Sequence, residues 1–248
     1  MSTEKTLIFT PTYNERENIM PMFLAIKGLG LKADILFLDD NSPDGTGEVM
    51  EQIKSQNPGV FVIHRTGKLG IGSAHKEGIR WAYEKGYDRL LTMDADFTHS
   101  PEYIPAILNL LKDNDVSIGS RYLMKDSLKN WNLLRKTLTW TAHVLTTHLL
   151  KLRYDSTGAF RGYNLKTLPH AVFLKVESNS YSFFFESLHL LNFNGFKIVE
   201  FPVSLPTRAA GSSKMTVVDA LKSVYFLLNM CFKTYFQNSK IRVRSKEV

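Results

Sequence analysis

The chain has 248 residues, of which 44% are hydrophobic and 22% are charged, and these values are typical of one globular domain with appended elements. Its net charge of +7 favours anionic partners such as nucleotide phosphates, nucleic acid or an acidic membrane surface. The single cysteine, Cys231, excludes an intramolecular disulfide and a cysteine-based metal site, so any metal ion must bind to oxygen ligands or histidine.

The first half of the chain alternates short β-branched runs with helical patterns. Strands are predicted at residues 6–10, 35–38, 60–64 and 89–93. The helices predicted between them are 17–27, 45–55 and 73–85. This alternation predicts an α/β fold with a mostly parallel sheet flanked by helices. Ligands of such sheets bind beyond the carboxyl ends of the strands, and that edge is where we expect the site.

The second half of the chain is less regular. A helix is predicted at 101–112, with Pro101 in its first turn, then a strand at 116–122 and a long helix with a broad apolar face at 132–152. The later predictions are a turn at 155–158, a helix at 182–193, a strand at 197–205, a loop at 207–214 and a final apolar helix at 217–236. We assign residues 1–215 to one domain and residues 216–248 to a C-terminal amphipathic helix and basic tail.

Asp94 and Asp96 are separated by one residue and follow the strand predicted at 89–93. Two carboxylates placed in this way bind one divalent ion, and Mg²⁺ or Mn²⁺ so held keeps coordination positions for diphosphate oxygens. A solvated acidic turn is the more common meaning of an isolated Asp-x-Asp. The preceding strand favours a metal site here, at which a departing nucleoside diphosphate would be neutralised.

A second polar cluster follows the first two strands. Asp39 and Asp40 are by themselves typical of an acidic turn. With Tyr13 and Glu15 at the neighbouring strand end, they provide an aromatic face and acceptors for base N–H and ribose hydroxyl groups. We therefore predict a nucleoside pocket.

Residues 70–74 (GIGSA) form a glycine-rich approach to a helix. They lack the Walker spacing and the third glycine of a dinucleotide fingerprint, so a plain helix start is favoured over a phosphate cradle. Lys68 is nevertheless placed to meet a phosphate. Five further basic residues lie at element ends or in loops of the second half, where each alone is typical of a solvated charge. Together they are predicted to surround a diphosphate and an acceptor phosphate: Arg121, Arg135, Arg161, Arg208 and Lys214.

Six segments occur in an order that characterises a known family. They are 11–18 (PTYNEREN), 39–46 (DDNSPDGT), 70–74 (GIGSA), 94–101 (DADFTHSP), 119–122 (GSRY) and 155–161 (DSTGAFR). The series continues through Arg208 to residues 211–214 (GSSK). It resembles the family 2 inverting glycosyltransferases, and more closely the dolichol-phosphate and polyprenyl-phosphate mannose synthases.

The resemblance implies a GT-A (Rossmann-like) fold with interfacial C-terminal helices, and transfer of mannose from GDP-mannose to dolichyl or polyprenyl phosphate with Mg²⁺ or Mn²⁺. The nucleotide-binding residues that it implies are Pro11, Tyr13, Glu15, Asp40, Lys68, Asp94 and Ala95. The implied metal ligands are Asp94, Asp96 and Thr98, and the implied catalytic residues are Asp96, Arg121, Arg135, Arg208 and Lys214. The chain departs from the family at Thr98, where members often have Gln, and at Phe184, two residues before Glu186, where some have Gln.

No histidine or glutamate stands out in the sequence as a general base. A phosphate acceptor is consistent with this, because it does not need one. An inverting transfer to an alcohol normally needs such a base. A phosphate is already anionic at neutral pH. The enzyme then has to align it with the anomeric carbon, screen charge repulsion with arginine and stabilise the departing diphosphate with metal.

Membrane contact is expected to be peripheral. Residues 1–5 lack the pattern of a secretory signal, and no apolar run approaches the roughly 18 residues that cross a bilayer, so we expect a cytoplasmic protein on the cytosolic face of a membrane. The interfacial elements would be helices 132–152 and 217–236 and a basic tail with Lys240, Arg242, Arg244 and Lys246. The alternatives are that both helices cover the sheet and the tail is disordered, or that a small membrane subunit anchors the enzyme.

Four rival functions are compatible with parts of the sequence. The same fold can use UDP-glucose or another acceptor. A nucleotidyltransferase also uses paired aspartates and metal, but it ordinarily has a glycine-rich basic loop where this chain has residues 11–15. The third rival is a membrane-associated binding protein without turnover. Nucleic-acid binding ranks last, because the sequence contains no recognised module for it.

Overall fold

The protein is built on a seven-stranded sheet with helices on both faces, as seen in a computed structural model that describes residues 4–125, 127, 133–204 and 217–243. The strands are β1 (Thr6–Thr12), β2 (Ala33–Asp39), β3 (Val60–His64), β4 (Arg89–Thr92), β5 (Val116–Ser120), β6 (Arg161–Asn164) and β7 (Ile198–Pro202). Their order across the sheet is β3-β2-β1-β4-β6-β5-β7. The predicted strands are therefore confirmed, with ends that differ by a few residues.

The helices are α1 (Arg16–Gly28), α2 (Thr46–Gln56), α3 (Ile71–Glu84), α4 (Ile104–Leu110), α5 (Leu133–Leu150), α6 (His170–Leu174), α7 (Phe183–Phe193), α8 (Val217–Phe236) and α9 (Asn238–Ile241). The helix predicted at 101–112 is divided into a 3-10 turn, Pro101–Tyr103, and α4. Pro105 lies in the first turn of α4, where a missing N–H costs no helical hydrogen bond. The short helices α6 and α9 were not predicted.

Strand β6 was also missed, and it is antiparallel to both of its neighbours, β4 and β5. Its sequence, RGYN, has no apolar run that would mark a strand. Gly162 is required by packing, because a Cβ at this position would lie 2.5 Å from the Ile107 Cγ2 atom and 2.6 Å from the Ser117 Oγ atom. The strand is thus specified by contacts with β5 and α4, which are distant in sequence.

Two apolar layers cover the sheet. One contains side chains of α1, α2 and α4, including Ile19 and Met50. The other contains side chains of α3 and α7 and also two of α8, Leu227 and Met230, which are buried. The predicted boundary at residues 215 and 216 lies outside the described residues. Nowhere in the described ranges is there a helix with the length and hydropathy that crossing a bilayer requires.

Candidate active site

Polar side chains gather at the carboxyl ends of the parallel strands, as the sequence predicted. Tyr13 follows β1, and the Lys68 Nζ atom lies 4.9 Å from the centroid of its ring in a cation–π contact. Pro11 is buried within β1, paired with Leu38 of β2. The structure therefore brings three of the predicted nucleotide-binding residues close to the carboxyl end of β1: Pro11, Tyr13 and Lys68.

Asp40 follows β2 and is paired with a buried arginine. Its Oδ1 atom accepts a hydrogen bond from the Arg65 Nε atom at 2.5 Å and also contacts Nη2. Burial raises the pKa of Asp40 above its ordinary value, and the Arg65 guanidinium opposes this rise. Arg65 Nη1 also donates to the Ser73 Oγ atom at 2.7 Å, which connects Asp40 to the start of α3. Sequence analysis missed Arg65, although its position directly after β3 matches that of Asp40 after β2.

The neighbouring loops are shaped by local hydrogen bonds. Asp39 accepts from the Ser42 hydroxyl at 2.5 Å and from the Ser42 N–H at 3.1 Å, so the acidic-turn interpretation describes Asp39. The Asn14 N–H donates to the same Ser42 hydroxyl at 2.9 Å, which joins the loops after β1 and β2. Glu15 is buried and accepts from the Asn18 Nδ2 atom at 2.7 Å.

The Asp94-Ala95-Asp96 segment follows β4 in a tightly folded loop. The Oδ1 atom of Asp96, which is buried, accepts hydrogen bonds from the Thr98 N–H at 3.1 Å and the Thr98 hydroxyl at 2.6 Å. Phe97 between them has a φ of 61°, a left-handed conformation that is uncommon for a bulky residue and is found at functional sites. The Asp94 N–H donates to the His99 Nδ1 atom at 3.0 Å. The carboxylate of Asp96 and the backbone of Asp94 are thereby held in defined positions.

Carboxylate oxygens at this loop suit a hard divalent cation. Within the described part of the chain, no three His, Cys, Asp or Glu side chains converge as a complete metal cage. An ion at Asp94 and Asp96 would take its remaining ligands from diphosphate and water oxygens, as Mg²⁺ commonly does. Whether Thr98 also binds the ion stays a prediction, and its hydroxyl hydrogen is directed to Asp96 here.

Arg121 follows β5 and lies near the Asp94 loop. Its Nε atom and its backbone N–H donate to the Asp155 Oδ2 atom at 2.7 and 3.1 Å. Burial lowers the pKa of Arg121, but Asp155, Tyr122 and, to a smaller extent, Asp94 together raise it above its ordinary value. Strands β4 and β5 are both antiparallel to β6, which lies between them, so Asp94 and Arg121 follow strands that end at the same edge of the sheet.

Of the other basic residues predicted to bind phosphate, the structure describes the side chain of Arg161 alone. Arg161 departs from the prediction, because it is fully buried and donates to the Ser156 carbonyl at 2.9 Å and the Ser187 hydroxyl at 3.2 Å. These bonds join β6 to α7 and to Ser156, so the guanidinium is engaged within the protein. Arg135 lies in α5, but its side chain is outside the described residues, as are Arg208 and Lys214.

The glycine-rich segment before α3 is a plain helix start, as favoured from the sequence. A Cβ on Gly70 would lie 2.3 Å from the Asn179 carbonyl oxygen, and Gly70 has a φ of 97°. The Ser73 N–H at the start of the helix donates to that same carbonyl at 3.2 Å. Gly70 is therefore required for close packing of α3 against the segment before α7.

Sequence comparison identifies the family to which this chain belongs. The model of glycosyl transferase family 2 matches residues 7–173. An undecaprenyl-phosphate mannosyltransferase of Micrococcus luteus is 36% identical over 213 residues, covering 86% of this chain and 88% of that protein. A polyprenol monophosphomannose synthase of Mycolicibacterium smegmatis is 36% identical over 217 residues, covering 86% and 82%. A dolichol-phosphate mannosyltransferase of Pyrococcus furiosus is 34% identical over 230 residues, covering 90% and 64%.

Solved structures confirm the fold. The mannosyl-3-phosphoglycerate synthase of Rubrobacter xylanophilus superposes with a TM-score of 0.65 at 13% identity, covering 94% of this chain and 75% of that one. The mannosyltransferase PcManGT of Pyrobaculum calidifontis, solved with GDP-Man and Mn²⁺, gives a TM-score of 0.54 at 14% identity, covering 84% and 59%. The expected GT-A fold is therefore confirmed. The chain belongs to glycosyl transferase family 2, and over most of its length it is similar to enzymes named as polyprenyl-phosphate and dolichol-phosphate mannosyltransferases.

Proposed function

We propose that this protein transfers mannose from GDP-mannose to dolichyl or polyprenyl phosphate and releases GDP. The observation that carries the proposal is that Asp94 and Asp96 follow β4 and Arg121 follows β5, two strands that end at the same edge of the sheet. This edge combines oxygen ligands for a cation with a guanidinium for phosphate oxygens. The names of the three relatives add mannose as the sugar and an isoprenoid phosphate as the acceptor.

The nucleoside would occupy the ends of β1 and β2. Tyr13 provides an aromatic face, and Lys68 beside it provides a cation for phosphate. Asp40, oriented by Arg65, accepts a hydrogen bond from the base, and Pro11 and Glu15 complete the walls of the pocket. Asp94 and the backbone of Ala95 would lie along the diphosphate.

Asp94 and Asp96 would hold Mg²⁺ or Mn²⁺, which neutralises the negative charge of the diphosphate when it is bound. Thr98 fixes Asp96 through two hydrogen bonds, so the carboxylate is already oriented before an ion arrives. Arg121, Arg135, Arg208 and Lys214 are proposed to bind the diphosphate and the acceptor phosphate. Their role is to reduce repulsion between two anions that must approach each other.

In the proposed step, an oxygen of the acceptor phosphate forms a bond to the anomeric carbon as the bond from that carbon to GDP breaks. The configuration at the carbon inverts, and both electrons of the broken bond leave with GDP. No proton has to be removed from the acceptor, because its phosphate is ionised at neutral pH. Burial raises the pKa of Glu186 to about 7, but its two oxygens accept the Glu177 and Ser178 N–H groups, which gives it a structural role.

We propose that α8 and the adjacent part of α5 rest on the cytosolic face of a membrane. The Cys231 Sγ atom contacts the Leu149 carbonyl at 3.6 Å, which places the two helices side by side. Exposed apolar residues recur along α8 at helical spacing, with one more on α5: Leu221, Val224, Tyr225, Leu228, Phe232, Tyr235, Phe236 and Trp140. Exposed Lys222 and Lys240 complement anionic headgroups. The small anchoring subunit has no support from the relatives.

A donor and acceptor assay tests the proposal. The full chain is incubated with liposomes that contain polyprenyl phosphate, with labelled GDP-mannose or UDP-glucose, and with Mg²⁺, Mn²⁺ or a chelator. We expect labelled mannose in the lipid fraction only from GDP-mannose and only with a divalent ion. Transfer from UDP-glucose at a comparable or higher rate would instead support the rival donor, and lipid binding without turnover would support the non-catalytic alternative.

A further inference from the structure

Asp155 is a buried carboxylate whose contacts are directed at Arg121. The side chain is 1% exposed, and its Oδ2 atom accepts two hydrogen bonds from one residue, the backbone N–H and the Nε of Arg121. These two bonds fix the Arg121 guanidinium relative to the residue's own backbone at the end of β5. Arginine otherwise has several rotatable bonds, so its guanidinium would sample many positions.

Asp155 is itself held by the far side of the sheet. Its N–H donates to the Glu200 Oε1 atom of β7 at 2.6 Å. Strand β7 is parallel to β5, and Ser120, the residue before Arg121, is paired with Pro202. A chain of hydrogen bonds therefore runs from Glu200 through Asp155 to Arg121. Arg121 follows β5, which ends at the same edge of the sheet as β4, the strand before Asp94.

We propose that Asp155 is a positioning residue, which fixes the Arg121 guanidinium in the orientation that binds the diphosphate beside Asp94. The inference rests on the proposed function in one respect, the assignment of Arg121 to phosphate. A general-base role does not fit the geometry. A base must lie within hydrogen-bond distance of the proton that it takes, whereas Asp155 is enclosed and its Oδ2 is engaged by two donors of Arg121.

Gly158 provides a second observation on the same guanidinium. A Cβ added at Gly158 would lie 3.2 Å from the Arg121 Nη2 atom and 3.7 Å from the Asp155 Oδ1 atom. The glycine does not have a left-handed backbone, so alanine is compatible with its conformation. Gly158→Ala would displace the guanidinium by a few tenths of an ångström and keep the Asp155 carboxylate. It is therefore a matched test of position without a change in charge.

The experiment is a double-mutant cycle with Asp155→Asn, Arg121→Met and the two combined, in the full-length protein. The probe is inorganic pyrophosphate with Mn²⁺, because pyrophosphate contains the group that GDP and UDP share, and its affinity is measured by calorimetry. We expect about tenfold weaker binding for each single variant, and for the double variant an affinity within about twofold of Arg121→Met alone. Gly158→Ala should weaken binding about threefold with an unchanged melting temperature.

Two results would overturn the inference. One is a loss from Asp155→Asn that is equally large in the Arg121→Met background, since Asp155 would then act independently of Arg121. The other is wild-type pyrophosphate affinity in Gly158→Ala, which decides the matter even if Asp155→Asn does not fold. A wild-type protein that binds pyrophosphate and shows the expected coupling, but does not transfer mannose, would contradict the proposed function and leave the positioning role intact.

Discussion

The two sides of the sheet build their parts of the site in opposite ways. On the side of β3, β2, β1 and β4, all strands are parallel, and the candidate ligands follow directly after their strands. There Asp40 is proposed to bind the ligand, and the buried Arg65 donates a hydrogen bond to its carboxylate. On the side of β6, β5 and β7, Arg121 is proposed to bind the ligand, and the buried carboxylate of Asp155 accepts a hydrogen bond from it.

This contrast follows from the charge that each side is proposed to receive. A base and ribose present N–H and O–H donors, which a carboxylate accepts. Phosphate groups present only anionic oxygens, which a guanidinium binds. In both places the supporting residue is buried and of opposite charge, because an unpaired buried charge is costly. The supporting residue therefore has a predictable identity once the ligand-facing residue is known.

Removal of the Asp96 carboxylate, the proposed metal ligand, is expected to have the largest effect. Asp96→Asn keeps the shape of the side chain and an acceptor for Thr98 but loses the charge that binds the cation. We expect the transfer rate to fall by about a thousandfold or more. Asp113→Asn, at an exposed position of the same charge, is the control and should keep wild-type activity. Undiminished turnover in Asp96→Asn would refute the proposed metal site.

The variant Arg65→Met tests the role of the buried arginine that pairs with Asp40. Loss of Arg65 leaves the buried Asp40 without its partner, and we expect the free energy of unfolding to fall by about 3 kcal/mol and GDP affinity to fall about tenfold. Arg80→Met is the control, because the Arg80 side chain is 54% exposed and its 3.1 Å ion pair is with the exposed Glu84. Equal behaviour of the two variants would remove the parallel drawn between Arg65 and Asp155.

The local sequence was sufficient to predict the candidate site residues that come directly after the strands β1, β2 and β4. Tyr13, Asp40, Asp94 and Asp96 are each adjacent in sequence to an apolar run, so periodicity alone places them at one edge. The remainder depends on contacts across long stretches of chain. Strand β6 has no apolar pattern, and the link from Glu200 to Asp155 joins residues on different elements. Hydrophobic periodicity carries no information about which buried ion pairs form.

The segment before α7, whose Glu177 and Ser178 N–H groups donate to Glu186, should respond to pH. Burial raises the pKa of Glu186 from an ordinary 4.5 to about 7, so the folded protein binds more protons than the unfolded chain between these values. Stability should therefore fall as pH rises from about 4.5 to about 7, by up to about 3 kcal/mol from this group. Melting temperatures of the wild type and Glu186→Gln across this range measure it.

The difference between the melting temperatures of the two proteins should change over that interval, with Glu186→Gln gaining stability relative to the wild type as pH rises. Glu102→Gln, at an exposed position, should show no such relative change. If the difference between Glu186→Gln and the wild type is the same at every pH, the assigned pKa is wrong. The packing of the segment before α7 against Gly70 would then have no link to ionisation of Glu186.

Membrane contact is expected to give the smallest effect for a single residue. Tyr225→Ser removes an exposed apolar side chain from α8, and we expect severalfold weaker binding to anionic liposomes in a flotation assay. Point variants are preferable to truncation, because Leu227 and Met230 of the same helix belong to the core. Leu174→Ser, which changes an exposed leucine on α6, is the control. Equal flotation of both variants would contradict the proposed orientation.

The most direct test of the central claim compares a phosphorylated acceptor with its alcohol. In the proposed mechanism, cations at the strand ends align an acceptor that is already anionic, so no base is needed. Mannosyl transfer from GDP-mannose is measured with polyprenyl phosphate and with unphosphorylated polyprenol of the same length, both in liposomes with Mn²⁺. We predict β-linked mannosyl phosphate lipid from the first and no product from the second. Comparable transfer to polyprenol would contradict the account.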